Sequence, residues 1–436
     1  MRRIERLAAA LQAALPRPRV VGLLADNGAD WITADLAAQE AGVVLVPLPA
    51  FFTPAQCAHA VRASGMDGLL GDPLPGFEPA GDLEGLRWWR RAAEPQRLAA
   101  DVSKITFTSG TTGTPKGVPL TARQQWSVAR ALAQATRPLG IRRHLCLLPL
   151  AVLLENLAGV YAARLAEAEC IVPPLAETGV RGGARFDAAA CLAALEQWEP
   201  HSVILLPQML LALTLGLESG VRRPASLKFA AVGGAKVSPA LIARARAAGL
   251  PAYEGYGLSE CASVVTLNLP WAERRGSVGR PLPHAKVKLI EREIHVRSDG
   301  GWLATGDLGR LDDDGFLYID GRRRHVLITS YGRNVSPEWP EAELLAGSAI
   351  AQAAVFGEAK PRLCALLVPA APGLADEAID EQVRAANARL PDYACIGAWL
   401  RADAPFTPQN GFATANGRPR RDALWQAYGA RLDGLL

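Results

Sequence analysis

The stretch 106–117, which reads TFTSGTTGTPKG, constrains this chain more than any other part of the sequence. Apolar residues precede it, as in a buried strand, and seven consecutive Thr, Ser or Gly residues (108–114) then lead to Pro115 and Lys116. Phosphate oxygens accept hydrogen bonds but do not donate them, so hydroxyls and backbone N–H groups suit a polyphosphate. Glycines let the backbone approach closely, and Lys116 adds a point charge. The stretch therefore predicts a strand followed by a phosphate-binding loop.

Two other interpretations of this loop are weaker. The spacing from Gly110 to Lys116 fits the P-loop of nucleotide hydrolases. However, Pro115 stands where that motif has glycine, and Gly117 stands where it has serine or threonine. A turn that binds no ligand is the plainer alternative, but the lysine and the motifs described next argue against it.

On these residues the loop resembles the phosphate loop of the adenylate-forming superfamily, which includes acyl-CoA synthetases, the adenylation domains of peptide synthetases and beetle luciferase. Members activate a carboxylate with ATP and Mg²⁺, form an acyl-adenylate and pyrophosphate, and pass the acyl group to a thiol. The resemblance implies that Lys116 acts in catalysis and that the loop holds the β and γ phosphates. The other implied phosphate-binding residues are Thr108, Ser109, Gly110, Thr111, Thr112 and Gly113.

A glycine-rich turn and an acidic motif extend the resemblance, in the family's order. Gly233, Gly234 and Ala235 follow an apolar run, and in the family this turn packs along the adenine. Residues 305–308 (TGDL) resemble the motif whose aspartate, here Asp307, holds the ribose hydroxyls. A carboxylate can accept hydrogen bonds from both hydroxyls of a cis-diol. Gly234, Ala235 and Asp307 are therefore implied nucleotide-binding residues.

Residues 256–260 (YGLSE) resemble the family motif that combines an aromatic ring with a carboxylate. The resemblance implies that Tyr256 stacks on the adenine and that Glu260 helps bind Mg²⁺ and acts in catalysis. An aromatic face suits a base, and a carboxylate suits a hard cation. Gly257 and Ser259 are the other implied nucleotide-binding residues of this motif.

Basic residues mark the expected junction between two domains. Arg322 is the implied second contact to ribose or phosphate, and Arg324 stands where the family has its hinge residue. Residues 332–337 (GRNVSP) resemble the small domain's loop that faces the active site during thioester formation. Together with Arg323 and Arg333, these cations are expected to meet CoA phosphates or an acidic carrier protein. A solvated, ion-paired hinge face is the alternative.

The C-terminal segment departs from the family at one position. Family members usually carry a lysine in T-x-x-G-K-x-x-R, where it binds the reacting carboxylate and the α-phosphate, but segment 414–421 reads TANGRPRR and has Arg418 there. Arginine keeps the charge but has a wider planar head, so the exchange is not conservative. Three interpretations stay open. Arg418 is the catalytic residue in place of the lysine, or the enzyme is slow at adenylation but competent at thioester formation, or the chain is a degenerate, non-catalytic acyl- or nucleotide-binding member.

Residues 148–159 (LPLAVLLENLAG) resemble the family's region beside the acyl pocket. Amino-acid-activating relatives typically place an aspartate there for the substrate ammonium, and none occurs here, which argues against an amino acid. Apolar candidates favour a medium- or long-chain fatty acid, at about 0.8 kcal/mol per buried CH₂, as in bacterial fatty-acyl-CoA or acyl-ACP ligases. An aromatic acid is the alternative. The predicted pocket residues are Ala151, Val152, Leu206, Met209, Gly233 and Val264.

The resemblance implies an AMP-forming acid–thiol ligase. The expected acceptor is CoA or the phosphopantetheine arm of an acyl carrier protein, because the two present the same thiol. A luciferase-like oxygenase would share the fold and the first step, and only oxygen-dependent chemistry would distinguish it.

Composition is typical of an enzyme in a reducing compartment. The net charge of +4 on 436 residues is too small to argue for a nucleic-acid partner. The seven cysteines show no C-x-x-C pairing, which favours buried thiols and a cytoplasmic location. The six histidines show no metal-ligand spacing, so the sequence predicts no zinc site.

The N-terminal stretch of basic residues followed by Ala and Leu could be a signal peptide or an amphipathic helix. Gln12 interrupts the apolar run and Arg17 and Arg19 follow it, which favours the helix. No run approaches the length of a membrane span.

The hydrophobic pattern alternates between strands and helices, which predicts an α/β fold with a largely parallel sheet. We expect a large N-terminal ATP- and acyl-binding domain (1–320) with helices flanking its sheets, and a small mobile α+β cap (321–436). The pattern predicts one helix over 153–166 and a hairpin of strands over 287–290 and 293–297. Residues 78–95 show no clear period and are predicted to be a connector with two packed tryptophans.

Overall fold

The computed structural model describes residues 2–14, 19–94, 96–108, 115–181, 185–298, 301–330, 333–414 and 417–435. The chain forms two compact units. The first comprises Met1–Ile204, Pro224–Phe229 and Gly257–Val265, and the second comprises Leu205–Arg223, Ala230–Tyr256 and Thr266–Leu436. Within the described ranges, no helix has both the length and the apolar character needed to cross a bilayer. The predicted domain division at residue 320, and the mobility of the cap, stay predictions.

The first unit contains a seven-stranded sheet with a parallel centre. Its strands are β1 (Val20–Leu24), β2 (Val44–Pro47), β3 (Gly68–Gly71), β4 (Glu78–Leu83), β5 (Leu86–Arg90), β6 (Val102–Thr108) and β7 (Lys116–Thr121). They lie in the order β4-β5-β3-β1-β2-β6-β7. The central strands β3, β1, β2 and β6 are parallel, and antiparallel strands complete both edges. Strands β1 and β2 are apolar and almost wholly buried, as expected for parallel strands covered on both faces.

Four helices accompany this sheet: α1 (Arg2–Ala13), α2 (Ala29–Ala41), α3 (Pro54–Ser64) and α4 (Ala122–Thr136). Helices α3 and α4 each begin with a capping box. The hydroxyl of Thr53 accepts from the Gln56 N–H while the Gln56 side chain accepts from the Thr53 N–H, and Thr121 and Gln124 repeat the arrangement. The alternation of strands and helices that the sequence predicts is confirmed over β1, α2, β2, α3 and β3.

The prediction of a connector at residues 78–95 is wrong for most of its length, because β4 and β5 form an antiparallel hairpin there. Strand β4 is largely exposed and carries no apolar period, so its sequence gave little sign of a strand. Trp88 is buried against β3, where a Cβ on Gly68 would come within 2.3 Å of its ring. The indole N–H of Trp89 donates to the Gly71 carbonyl at 2.9 Å.

A second set of parallel strands in the first unit pairs around β8. These strands are β8 (Arg143–Leu145), β9 (Glu169–Ile171) and β12 (Ser202–Leu205). Between β9 and β12 the chain forms a separate antiparallel pair, β10 (Val180–Arg181) and β11 (Arg185–Phe186), and helix α6 (Ala188–Trp198). Strand β8 pairs in parallel with both β9 and β12, and His144 is level with Cys170 on one side and Ser202 on the other. His144, Cys170 and Ser202 therefore lie side by side across three neighbouring strands.

The segment between β8 and β9 departs from the single helix predicted over 153–166. It contains a π-helix (Glu155–Tyr161) and one α-helical turn, α5 (Ala162–Leu165). The first two residues of the π-helix, Glu155 and Asn156, are both buried and make hydrogen bonds outside the helix. Single-turn π segments commonly lie at functional sites.

A buried ion pair joins the sheet to two helices of the first unit. Lys104 of β6 is only 2% exposed, and its Nζ lies 2.7 Å from Oδ1 of Asp35 in α2. The same Nζ donates to Oδ1 of Asn156 at 2.5 Å, and the Asn156 amide donates to the other Asp35 oxygen at 2.8 Å. The ring of Tyr161 lies 5.1 Å from Nζ. Lys104, Asp35 and Asn156 thus pair with one another, which makes the burial of two charges tolerable.

The second unit begins with short helices and strands and continues into an antiparallel sheet. Its elements up to residue 322 are α7 (Pro207–Glu218), β13 (Phe229–Val232), α8 (Pro239–Ala247), β14 (Ala252–Leu258), β15 (Ser263–Leu267), β16 (Arg280–Pro281), β17 (Lys286–Ile290), β18 (Glu293–Ser298), β19 (Gly301–Leu311) and β20 (Leu317–Arg322); a few of their residues belong to the first unit. Strands β17 to β20 form a four-stranded sheet in sequence order. The predicted hairpin of β17 and β18 is confirmed.

The C-terminal part is an α+β arrangement with two apolar cores. Its elements are β21 (Leu327–Ile328), β22 (Asn334–Val335), α9 (Glu338–Leu344), β23 (Ile350–Phe356), β24 (Leu363–Pro369), α10 (Asp376–Asn387), β25 (Ile396–Arg401) and α11 (Arg421–Asp433). Strand β24 lies between β23 and β25. Leu363, Ala365 and Leu367 of β24 face the core with α10, whereas Leu366 and its alternate neighbours face the core with α11. The period of two along a strand explains this division.

We predict that Lys104→Met lowers the free energy of unfolding by about 3–5 kcal/mol, because it leaves the Asp35 carboxylate buried without its cation. The measurement is urea unfolding followed by circular dichroism. Lys286→Met, at an exposed position of β17, is the matched control and should change the value by less than about 0.5 kcal/mol. An equal, small effect of both substitutions would contradict a structural role for the ion pair.

Candidate functional site

Three predicted nucleotide-binding residues and the predicted catalytic Arg418 lie together in the second unit, with the carboxylate of Asp307 at their centre. Asp307 lies on β19 opposite Arg322 on β20. Arg322 Nε lies 2.7 Å from Oδ1 of Asp307, and the Tyr256 hydroxyl donates to Oδ2 at 2.6 Å. Arg418 interacts electrostatically with both Asp307 and Arg322. The structure therefore brings together residues that are as many as 162 positions apart in the chain.

The backbone around Asp307 fixes its carboxylate. Thr305 Oγ1 donates to the Ile294 carbonyl at 2.8 Å and accepts from the Asp307 N–H at 3.1 Å. Gly306 has a φ of 72°, which favours glycine, and its N–H donates to Glu293 at 3.0 Å. Asp307 is consequently held at 4% exposure with both oxygens directed at partners.

Burial favours the protonated, neutral forms of the two acidic groups of this cluster, Asp307 and Tyr256. It raises the pKa of Asp307, although the charge of Arg322 and the hydrogen bond from Tyr256 oppose that shift. Burial also raises the pKa of Tyr256, and the neighbouring Asp307 adds to the effect. The Tyr256 hydroxyl therefore stays protonated and acts as a donor.

The backbone of Arg418 belongs to a tight turn, and its side chain extends to the segment that the sequence assigns to adenine. The Thr414 N–H donates to the Arg418 carbonyl at 2.8 Å, and the Arg418 N–H donates to Thr414 Oγ1 at 3.1 Å. The exposed guanidinium of Arg418 donates through Nη2 to the Gly234 carbonyl at 2.6 Å. Gly234 has a φ of 84°, and it and Ala235 are exposed. The position that departs from the family thus lies beside the turn that the sequence assigns to adenine.

Glu338 is a further charged residue of this region that the sequence reasoning missed. It opens α9 and accepts from Ser336 Oγ at 2.6 Å, and its other oxygen lies 2.6 Å from Nδ1 of His325. Burial acts to raise its pKa, but the hydrogen bond to His325, the charge of Arg421 and the bond from Ser336 together lower the pKa of Glu338 to about 2. Glu338 also interacts with Arg418. Its position directly after the 332–337 motif was the signal that could have found it.

Lys236, which follows the glycine-rich turn 233–235, and Glu254 are two more charged residues that the sequence reasoning missed. Lys236 donates to the Ile319 carbonyl at 3.0 Å, and its Nζ lies 6.0 Å from the ring of Trp339. Burial raises the pKa of Glu254 to about 8 even though Lys236 opposes the shift. Two residues on, Ser238 caps α8 and donates to Glu343 at 2.9 Å.

The first unit holds the other predicted catalytic residues. Lys116 opens β7, and its Nζ lies 3.8 Å from Oε1 of Glu260. Glu260 lies in a short 3₁₀ helix (Ser259–Cys261), with its side chain 37% exposed. A Cβ on Gly257 would come within 1.8 Å of the Ser263 carbonyl, so this motif position requires glycine. Thr108 ends β6, and Ser109, Gly110, Thr111, Thr112 and Gly113 lie outside the described residues.

The predicted acyl-pocket residues are divided between the two units. In the first unit Ala151 and Val264 are buried and Val152 is half-buried; in the second, Met209 and Gly233 are buried and Leu206 is half-buried. Their roles stay predictions. So does the hinge role of Arg324, whose backbone lies in a 3₁₀ helix (Arg323–His325) and whose side chain is outside the described atoms.

Two protein-family models match this chain. The model of the AMP-binding enzyme family matches residues 1–301, and the model of the AMP-binding enzyme C-terminal domain matches residues 324–435. The chain belongs to the AMP-binding enzyme family. The predicted resemblance to the adenylate-forming superfamily is thereby confirmed.

Two curated relatives differ in how much of the chain they match. The 2-succinylbenzoate–CoA ligase of Bacillus cereus is 28% identical, and the match covers 78% of this chain and 75% of the relative. The long-chain-fatty-acid–CoA ligase of Mycobacterium bovis is 38% identical over 154 residues, which are 31% of this chain and 26% of the relative. The chain thus matches only about a quarter of the long-chain ligase.

Solved structures of AMP-binding enzymes agree with the fold. An anthranilate CoA ligase in complex with anthranoyl-AMP gives a TM-score of 0.80 at 21% identity, covering 99% of this chain and 93% of that one. The o-succinylbenzoate CoA synthetase of Bacillus subtilis, in complex with ATP and a magnesium ion, gives 0.73 at 25% identity, covering 97% and 92%. The predicted fold class, a large α/β part with parallel sheets and a small α+β C-terminal part, is confirmed.

We predict that Glu338→Gln destabilises the protein in a pH-dependent way. A carboxylate whose pKa is lower in the folded state stabilises that state above its ordinary pKa, and this contribution is lost as the pH falls through the folded value. For Glu338 the window runs from pH 4.5 down to about 2, and the full contribution is about 3 kcal/mol.

The measurement is the free energy of unfolding of the wild type and of Glu338→Gln between pH 7 and pH 2.5. The difference between the two should be largest above pH 5 and should shrink as the pH falls. Glu377→Gln, at an exposed position of α10, is the control. A difference that stays constant across the range would contradict the assigned interactions.

Proposed function

We propose that this chain activates a carboxylic acid with ATP, forms an acyl-adenylate and pyrophosphate, and transfers the acyl group to a thiol. The observation that carries the proposal is the cluster of Tyr256, Asp307, Arg322 and Arg418 next to Gly234. It provides a carboxylate, an aromatic ring and two cations, which suit a ribose, a base and phosphates. Family membership supports the same reaction class.

Asp307 is assigned to the ribose hydroxyls. Its Oδ2 accepts one hydrogen bond, from Tyr256, and its Oδ1 is paired with the charge of Arg322, so each oxygen has a lone pair left to offer. The cis-diol of a ribose would use that remaining capacity. Tyr256 has its hydroxyl tied to Asp307, which leaves the ring face for stacking on adenine.

Arg418 is assigned to the reacting carboxylate and the α-phosphate. Its guanidinium has five N–H donors, and one nitrogen, Nη2, is bonded to the Gly234 carbonyl. The remaining donors can bind two oxygens side by side, as arginine does with carboxylates and phosphates. Both reactants are anions, so a cation that holds them together lowers the barrier by charge neutralisation and alignment.

Lys116 and Glu260 are assigned to the triphosphate and its metal. The Glu260 carboxylate is 37% exposed and lies 3.8 Å from the Lys116 ammonium, so it can turn to a hard cation without losing a short ion pair. Mg²⁺, when bound, would neutralise the charge of the leaving pyrophosphate. The relative from Bacillus subtilis that was solved with ATP and a magnesium ion supports this assignment.

The acid is proposed to be apolar and to lack an ammonium group. The residues 148–159 contain no aspartate, and the predicted pocket residues are small or apolar. A medium- or long-chain fatty acid is supported by the Mycobacterium bovis relative, over 31% of this chain. An aryl acid is supported by the Bacillus cereus 2-succinylbenzoate ligase, which matches 78%. The aryl class therefore has broader support than the fatty acid that the sequence favours.

CoA is the proposed acceptor, because the curated relatives named above are CoA ligases. The phosphopantetheine arm of an acyl carrier protein presents the same thiol and is the second candidate. The exposed guanidinium groups of Arg323 and Arg333 could meet phosphates in either case.

We predict carboxylate-dependent exchange of pyrophosphate into ATP, measured with no thiol present. The panel contains medium- and long-chain aliphatic acids, the aryl acids anthranilate and 2-succinylbenzoate, and several amino acids. Exchange with one apolar class names the substrate, and Asp307→Asn serves as the inactive control. No exchange with any acid, from folded protein that binds ATP, would overturn the proposed adenylation and favour a thioester-only or non-catalytic protein.

We predict that Arg418→Ala lowers the exchange rate about 10²- to 10³-fold, because it removes a positioned cation at the charge-bearing centre. Arg418→Lys should retain exchange, since the charge stays. Thioester formation from supplied acyl-adenylate should change far less in Arg418→Ala, because pyrophosphate has already left. Arg431→Ala, which removes a surface ion pair with Asp403, is the control. Equal exchange in wild type and Arg418→Ala would contradict the assigned role.

A further inference from the structure

A row of four reactive side chains crosses the parallel strands of the first unit. His144 on β8 is level with Cys170 on β9, and Cys146 follows His144 by two residues on the same side of the strand. Glu155, the first residue of the π-helix, reaches the same place. His144, Cys146 and Glu155 are buried and Cys170 is half-buried. None of the four takes part in the proposed nucleotide or acyl chemistry.

The donor atoms of these side chains lie close together. Nε2 of His144 and Oε1 of Glu155 are 2.9 Å apart, and the Cys146 and Cys170 sulfurs are 3.6 Å apart. Ligand atoms of His144, Cys146 and Glu155 all lie within 4.8 Å of one another. One imidazole nitrogen, one sulfur and one carboxylate oxygen are thus grouped together, and the Cys170 sulfur adjoins this group through its contact with Cys146.

We propose that His144, Cys146, Glu155 and Cys170 bind one zinc ion. Tetrahedral zinc with ordinary bond lengths separates two sulfurs by about 3.8 Å and a nitrogen from an oxygen by about 3.4 Å. The observed separations of 3.6 Å and 2.9 Å differ from these by about half an ångström or less. Closed sites of four protein ligands are typical of zinc with a structural role.

The groups behind the ligands hold them in place. Nδ1 of His144 lies 2.9 Å from Ser202 Oγ, so the hydroxyl fixes the ring and leaves Nε2 for the metal. The second oxygen of Glu155 accepts from the Leu147 and Leu148 N–H groups at 3.1 and 2.8 Å. Such outer contacts orient the ligands of metal sites and are part of their affinity.

The lack of a side chain at Gly159 also supports the proposed zinc site, because the ligands leave no room for a Cβ atom there. A Cβ at this position would lie 2.3 Å from Oε1 of Glu155 and 2.7 Å from Nε2 of His144. Any other residue would therefore push apart the two atoms that face the proposed zinc. The glycine sits within the π-helix that begins at Glu155, so this segment leaves room for two of the four proposed ligands, His144 and Glu155.

The binding step balances as an exchange of protons for zinc. The two thiols lose their protons to solvent and bind as thiolates, Glu155 binds as a carboxylate, and His144 binds as neutral imidazole through Nε2. The resulting charge of minus one is stabilised by the Leu147 and Leu148 N–H groups.

The test uses the full chain, purified under reducing conditions, stripped with a chelator and titrated with Co²⁺ as a spectroscopic probe. We expect one Co²⁺ per chain, a thiolate-to-cobalt charge-transfer absorption, and its loss when Zn²⁺ is added. Cys170→Ser should abolish the absorption. Cys395→Ser is the matched control, because Cys395 is also half-buried but has only carbonyl partners among its described contacts.

Ser202→Ala provides a second variant that keeps all four ligands. It should bind the metal about 10- to 100-fold more weakly, through loss of the contact to His144. Reduced wild type that takes up no Co²⁺ would overturn the proposal, and so would an absorption that survives in Cys170→Ser. A Cys146–Cys170 disulfide in air, with no metal uptake after reduction, would assign these thiols to redox chemistry and overturn it equally.

Discussion

The buried carboxylate of Asp307 is the constraint on which the rest of the candidate site depends. A carboxylate at 4% exposure is costly unless its oxygens are paired. Arg322 and Tyr256 supply those partners from β20 and β14. Because each partner comes from a different strand, the pairing fixes the relative position of three strands as well as one charge. Arg418 then lies within reach of that charge, beside Gly234.

Sequence motifs predicted this part of the site because each motif carries its own local geometry. Tyr256, Asp307 and Arg322 lie on strands and each has a glycine beside it in the sequence, and the structure brings them together. The sequence did not point to Glu338, because its charge is paired with His325 and Arg421 and no motif links these residues to it.

The fold could be predicted from the sequence where the hydrophobic period was strong. The prediction failed where that period was absent or altered. Strands β1 and β2 are apolar throughout, so their burial could be predicted from the sequence. Strand β4 is exposed along its length and pairs through its backbone, which side-chain patterns do not record. The π-helix has the composition of an α-helix. Only the buried Glu155 and Asn156 at its start distinguish it, and their partners lie elsewhere in the chain.

The same limit explains why the sequence predicted no zinc site. Spacing rules for metal ligands describe loops and single turns, where the ligands are neighbours in the chain. Here His144 and Cys170 are 26 residues apart and become neighbours because parallel strands need a long crossover between them. That crossover contains the π-helix, which adds Glu155. A parallel sheet can thus assemble a donor set that no linear motif reveals, and the register of paired strands is the place to search for one.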